Sequence, residues 1–254
     1  MSALLVARNT YREAIRDRML AGVVGAGLVL LALTQIASPL ALGEGTRLTV
    51  DLGLSSLTWL GLLVVLLVGG GLVAKEIDRR TIYNLLSRPL ARRTYLIGKW
   101  AGLSAALWVL CTGLGLALAL VLWARGGAGL GPALAAAVIL AALELTVITA
   151  VAVLFSALST PVLSALYTLG VFVAGQWSYD LRAFAAKCPP ALGAVLEVAA
   201  NVVPNLPLFN ARTLAAEGGA FPALQLALAT AYAALYTGCM LALAAAAFES
   251  RDFK

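Results

Sequence analysis

Six separate windows of the chain are apolar and long enough to cross a lipid bilayer, and together they fill more than half of its 254 residues. A spanning helix needs about 20 mostly apolar residues to cover roughly 30 Å of hydrocarbon at about 1.5 Å per residue, and no water-soluble fold makes that demand six times over. The windows are 19–37, 53–73, 100–124, 132–155, 161–177 and 222–248. Composition agrees, with 62% hydrophobic and 12% charged residues and a mean hydropathy of +0.96. Each window is expected to be a helix, because lipid offers backbone groups no partners and a β-barrel would show short alternating strands instead of unbroken Leu/Ala/Val runs. The expected fold is therefore all-α: a single polytopic membrane domain over 1–254 with six transmembrane helices. The first window follows 18 residues that carry four Arg, Glu13 and Asp17, and no small-residue cleavage site follows it, so it reads as a retained span.

Orientation follows from the Lys and Arg residues between the windows. The N-terminal segment (Arg8, Arg12, Arg16, Arg18), the second connection (Lys75, Arg79, Arg80, Arg88, Arg92, Arg93, Lys99) and the tail (Arg251, Lys254) hold thirteen. The other side holds five, Arg47, Arg125, Arg182, Lys187 and Arg212. Both termini are expected in the cytoplasm, with the chain a multi-pass protein of the cytoplasmic membrane. The net charge of +6 then reflects topology and anionic headgroups, and no soluble basic domain points to nucleic acid.

Missing chemistry narrows function. With no histidine, His-ligated metals, HExxH zinc sites and Ser-His or Cys-His dyads are excluded. Cys111, Cys188 and Cys239 are too far apart in sequence for a CxxC motif. The only Gly-Lys pair, Gly98-Lys99, is followed by Trp100 and has Arg93 where a phosphate-binding loop needs its first glycine. No catalytic, cofactor or metal residue is expected in this chain, and it has no ATPase site of its own.

Two polar segments carry the remaining signal. Over 2–18, a helical wheel places Leu4, Ala7, Tyr11, Ala14 and Ile15 on one side and Arg8, Arg12, Glu13, Arg16 and Asp17 largely on the other, the pattern of a helix lying in the membrane interface. The plainer alternative is a basic flank that fixes topology. The second segment, 75–99, reads KEIDRRTIYNLLSRPLARRTYLIGK. Its apolar run Ile82, Tyr83, Leu85, Leu86 should form a short helix stopped by Pro89, with a second helix starting near Arg92. Glu76 and Asp78 gain nothing beside anionic lipid, so the mixed charge suits a docking surface for a cytoplasmic protein; a solvated loop that only fixes topology is the alternative.

These residues also carry a resemblance. The stretch from Glu76 to Lys99, with Glu76, Thr81, Ser87, Arg88, Pro89, Arg93, Gly98 and Lys99 in register, resembles the cytoplasmic loop of ABC-2 type transporter permeases, of the branch that includes the NosY and GldF permeases. Arg80 replaces the glycine usual before the threonine, and Ala91 replaces a common serine. The six windows, the basic N-terminal helix and the long fifth connection extend the likeness to the whole chain. The resemblance implies a permease subunit, an exporter by family habit, that pairs with a second copy or a homologous permease. It further implies a separate ABC ATP-binding subunit in two copies, which carries the ATP and Mg. On that reading 74–99 holds the coupling helix: Glu76, Asp78, Arg79, Arg80 and Thr81 meet the ATPase groove, and Ile82 and Leu85 pack the helix.

The fifth connection, 178–221, is punctuated by Pro189, Pro190, Pro204 and Pro207, and 191–201 suits a short helix dipping back toward the membrane. The resemblance implies that it closes the outer end of the pathway; a plain extracytoplasmic linker is the alternative. Glu144 falls near the middle of the fourth window, where a charged acid costs at least about 2.5 kcal/mol and is usually paired or facing a cavity. It is expected either at the translocation path or dimer seam, or satisfied by Ser or Thr of a neighbouring helix. Rival functions are a secondary transporter or channel, which would show repeats and more embedded charge, and a non-transporting membrane scaffold or assembly protein.

Overall fold

The computed structural model describes residues 3–38, 44–74, 92–126, 131–218 and 222–249, and among them every regular element is helical. In chain order these are α1 (Ala3–Arg16), α2 (Arg18–Ala37), α3 (Gly45–Val64, continued by a π turn Val65–Gly69), α4 (Arg92–Ala124) and α5 (Gly131–Leu158). There follow α6 (Pro161–Gln176), α7 (Ser178–Ala185), α8 (Pro190–Val202), a 3-10 turn Leu206–Phe209, α9 (Arg212–Glu217) and α10 (Ala223–Glu249).

Five of these, α2, α3 with its π turn, α4, α5 and α10, are long and apolar enough to span a membrane. The apolar α6 is shorter, with 16 residues. The α8–α9 pair, bent by 41°, reaches span length only as one unit. The third element starts at Gly45, well before the hydropathy window at Gly53, because Thr49 and Asp51 lower the local hydropathy without breaking the helix. Thr49 instead bonds its own helix, donating to the Gly45 carbonyl at 2.8 Å.

At the centre stands α5. It is apolar on all sides, and a helix of that kind is stable only when packed on all sides. It is the most buried of the span-length helices, surrounded by α3, α4, α6 and α10. Small residues bring neighbours close: a Cβ on Gly61 of α3 would lie 3.1 Å from Leu145 Cδ2, and one on Gly115 of α4 would lie 2.7 Å from Val138 Cγ2. Two indoles of α4 grip α5 at one residue. Trp100 donates to the Thr146 carbonyl at 3.2 Å and Trp108 to its hydroxyl at 3.1 Å.

Contacts at the ends fix how the helices alternate. At one end α1 lies across the start of α4, and Tyr95 stacks on Phe248 near the end of α10 at 6.5 Å. The N-terminal helix and the end of α10 therefore share an end of the bundle. At the far end, Arg125 after α4 donates to Ser38 after α2 at 2.5 Å and to Thr49 of α3 at 3.3 Å.

The docked face of α1 is narrower than the wheel suggests. Val6, Thr10 and Ala14 are buried, whereas Leu4 is 74% exposed and Ile15 also remains accessible. Gly98 and Gly102, one turn apart on α4, set this: a Cβ on Gly98 would sit 2.6 Å from Val6 Cβ, and one on Gly102 would sit 2.5 Å from the Ala7 carbonyl oxygen. Close approach favours the small side of α1, so its larger apolar residues face outward.

Candidate functional site

A buried polar cluster lies partway along the bundle. Glu144 occupies the middle of α5 and is 4% exposed. The last residue of α6, Gln176, donates from Nε2 to Glu144 Oε1 at 2.5 Å. Arg212, the first residue of α9, donates from Nη2 to the hydroxyl of buried Thr58 in α3 at 3.2 Å. These four residues, with Asn210, line a cavity of about 20 Å³ whose apolar walls include Leu54, Ala141 and Phe209. That volume suits about one water molecule, which the surrounding polar atoms would hold.

The segment between α8 and α9 delivers Arg212 to this depth. Leu206 and Pro204 press on Gly175 near the end of α6, where an added Cβ would lie 2.9 Å from both the Pro204 carbonyl oxygen and Leu206. The Asn205 amide donates to the Tyr232 hydroxyl of α10 at 2.8 Å, and Phe209 packs against the same ring at 6.2 Å. Tyr236, one turn on, donates to the Val202 carbonyl at 3.0 Å. Asn210 accepts from the Arg212 amide at 3.2 Å and so shapes the start of α9. Gly218, at φ 70°, ends that helix in the left-handed conformation, with its amide donating to Leu214.

Sequence reading assigned Arg212 to an outer loop because it follows a proline-rich stretch, yet the fold turns it into the bundle. Gln176 and Thr58 were missed as well. The available signal was weak: Arg212 sits between Ala211 and Thr213, with Phe209 and Leu214 close by. Glu144 is hydrogen-bonded by an amide, not by the Ser or Thr expected of a neighbour; Thr58 is engaged by Arg212. Cys111, Cys188 and Cys239 are all free thiols. The docking residues Glu76, Asp78, Arg79, Arg80, Thr81, Ile82 and Leu85 lie outside the described residues. Among the described residues no group of His, Cys, Asp or Glu has the arrangement of a metal site.

What the described residues do contain is both approaches to that segment. After the π turn, the chain at 70–74 is held by Ser156 of α5, which donates to the Gly70 carbonyl at 3.0 Å and accepts from the Val73 and Ala74 amides at 3.0 and 3.1 Å. On the return, α4 carries α1 across its first turns.

Comparison with curated proteins finds no match. The family model for ABC-2 family transporter protein matches residues 4–253. A match over nearly the whole chain, on an all-helical bundle with several span-length helices, shows that this protein belongs to the ABC-2 family as a membrane-embedded permease subunit of an ABC transporter.

Proposed function

We propose that the chain is the permease half of an exporter of the cytoplasmic membrane, of the NosY/GldF-like branch, driven by two copies of a separate ATP-binding subunit and paired with a second copy or a homologous permease. Its termini and the elbow 74–99 lie in the cytoplasm, as the thirteen-to-five Lys/Arg asymmetry supports. Glu76, Asp78, Arg79, Arg80 and Thr81 contact the ATPase groove while Ile82 and Leu85 pack the coupling helix. ATP and Mg act on the partner; this chain supplies no cofactor site.

The observation that carries the reading is the Glu144–Gln176–Arg212–Thr58 cluster, which joins the α8–α9 segment to three helices of the bundle at mid-depth. A charge this deep is retained in membrane proteins chiefly at sites of passage or switching. We assign α8 and α9 as a re-entrant unit that closes the outer end of the pathway, with Arg212 as its anchor. Separation of α3 from α5 would break the cluster and open the cavity.

The test is copurification. The chain, extracted in mild detergent, should bring down an ATP-binding protein, and the pair Glu76→Ala and Arg80→Ala should reduce that yield severalfold without reducing the amount of permease. An intact complex in the double variant overturns the coupling assignment. A permease with no ATP-binding companion favours the secondary-transporter or scaffold readings.

A further inference from the structure

Ser156 is fully buried, and its hydroxyl makes three hydrogen bonds to backbone groups more than 80 positions away in the chain: Gly70 O at 3.0 Å, Val73 N at 3.0 Å and Ala74 N at 3.1 Å. A hydroxyl offers one donor and two acceptor sites, so all three are occupied. Its targets are the last described residues before the cytoplasmic elbow, immediately after a π turn, an element frequent at functional sites. The π turn leaves α3 without a regular helical end; Ser156 satisfies the Gly70 carbonyl there and accepts from the amides of Val73 and Ala74, which follow it.

The same stretch is wedged on its other sides. A Cβ on Gly70 would lie 2.8 Å from the Leu66 carbonyl oxygen and 3.1 Å from that of Pro161 at the start of α6, and one on Gly69 would lie 3.3 Å from Ala152 of α5. Ser164 of α6 donates to the Ala152 carbonyl at 3.4 Å. The exit of α3, the end of α5 and the start of α6 therefore form one knot, and Ser156 is its polar centre.

From the functional reading above, on which this inference rests, we propose that Ser156 is a positioning residue of the transport cycle: it ties the exit of α3 to α5, so that displacement of the elbow by the ATPase moves α5 as a rod and reaches Glu144. The two residues are 12 apart on one unbroken helix, about 18 Å at 1.5 Å per residue. Glu144 reads that motion because it is bonded to Gln176 at the far end of α6 and shares its cavity with Arg212 of α9. Without the hydroxyl, the elbow would pull on α3 and α4 and leave α5 behind.

The experiment uses the copurified permease–ATPase complex with Cys188 and Cys239 replaced by Ser. Ala141→Cys, which lines the Glu144 cavity on α5, reports through its rate of modification by a small methanethiosulfonate reagent, with and without ATP and Mg. Ser156→Ala and Ser156→Thr are compared on that background, and amide exchange over 70–74 is measured in parallel. The parent complex should change its rate on adding ATP. Ser156→Ala should lose most of that change and exchange the Val73 and Ala74 amides faster, while still binding the ATPase subunit. Ser156→Thr, which keeps a hydroxyl, should restore at least part of the response.

A response in Ser156→Ala equal to the parent, with the amides exchanging faster, overturns the relay and leaves the transporter reading standing. Unchanged exchange at Val73 and Ala74 overturns the clamp itself. No ATP response in the parent complex contradicts the functional reading and the relay with it.

Discussion

Arg212 and Glu144 set the chemistry at the level of single residues. A guanidinium and a carboxyl line one cavity, and each is also satisfied by a neutral group, Thr58 and Gln176 respectively. Removing one charge leaves the other buried beside fewer partners, at a cost of about 1–3 kcal/mol. Arg212→Leu should therefore lower the thermal midpoint of the detergent-solubilised protein. Combining it with Glu144→Gln should recover part of the loss, because the two residues share one site. Strictly additive losses, measured by thermal unfolding of the two single variants and the double, would mean that the residues act independently. Gln176→Leu supplies a second test: it removes the amide that donates to Glu144 Oε1, and a midpoint equal to the parent's would show that the carboxyl needs no partner from α6.

Among the elements, α1 and α4 show most clearly how spacing becomes structure. Gly98 and Gly102 permit backbone contact with α1, so a larger side chain must push that helix away or strain the pair, costing about 1–3 kcal/mol. Gly102→Val should lower the thermal midpoint and speed trypsin cleavage after Arg12, whose side chain is at the surface but whose backbone is held in α1. Gly113→Val, at a site with nothing within 4 Å of an added Cβ, should do neither. Equal behaviour of the two variants would refute the docking account.

The sequence revealed such elements unevenly. Unbroken apolar runs identify α4, α5 and α10 because a membrane-spanning helix requires them, and Gly98-Lys99 stood out as part of a family motif. What hydropathy could not reveal was the partner of Gly98: α1 turned its small residues inward, and a wheel ranks residues by polarity, not by size. The start of α3 was hidden by Thr49 and Asp51. The α8–α9 segment was legible as irregular from its prolines, but the depth to which it carries Arg212 depends on packing against Gly175 and Tyr232, which local sequence does not encode.

For the whole molecule, two attachments flank the proposed elbow: Ser156 on the side of α3, and α1 laid across the start of α4. A pull on the elbow would then reach both the buried central helix and the peripheral pair α1–α4. Many large apolar side chains on α2 and α10 remain exposed, including Leu33, Ile36, Leu228 and Leu235, as surfaces meant for lipid or another membrane subunit are. The account as a whole depends on which side of the membrane the elbow occupies. In a background with Cys188 and Cys239 replaced by Ser, a membrane-impermeant maleimide should label Glu217→Cys on intact cells and label Ser87→Cys only after the membrane is opened. Labelling of Ser87→Cys from outside intact cells would contradict the account, because a separate ATPase in the cytoplasm could then never reach the segment proposed to receive its stroke.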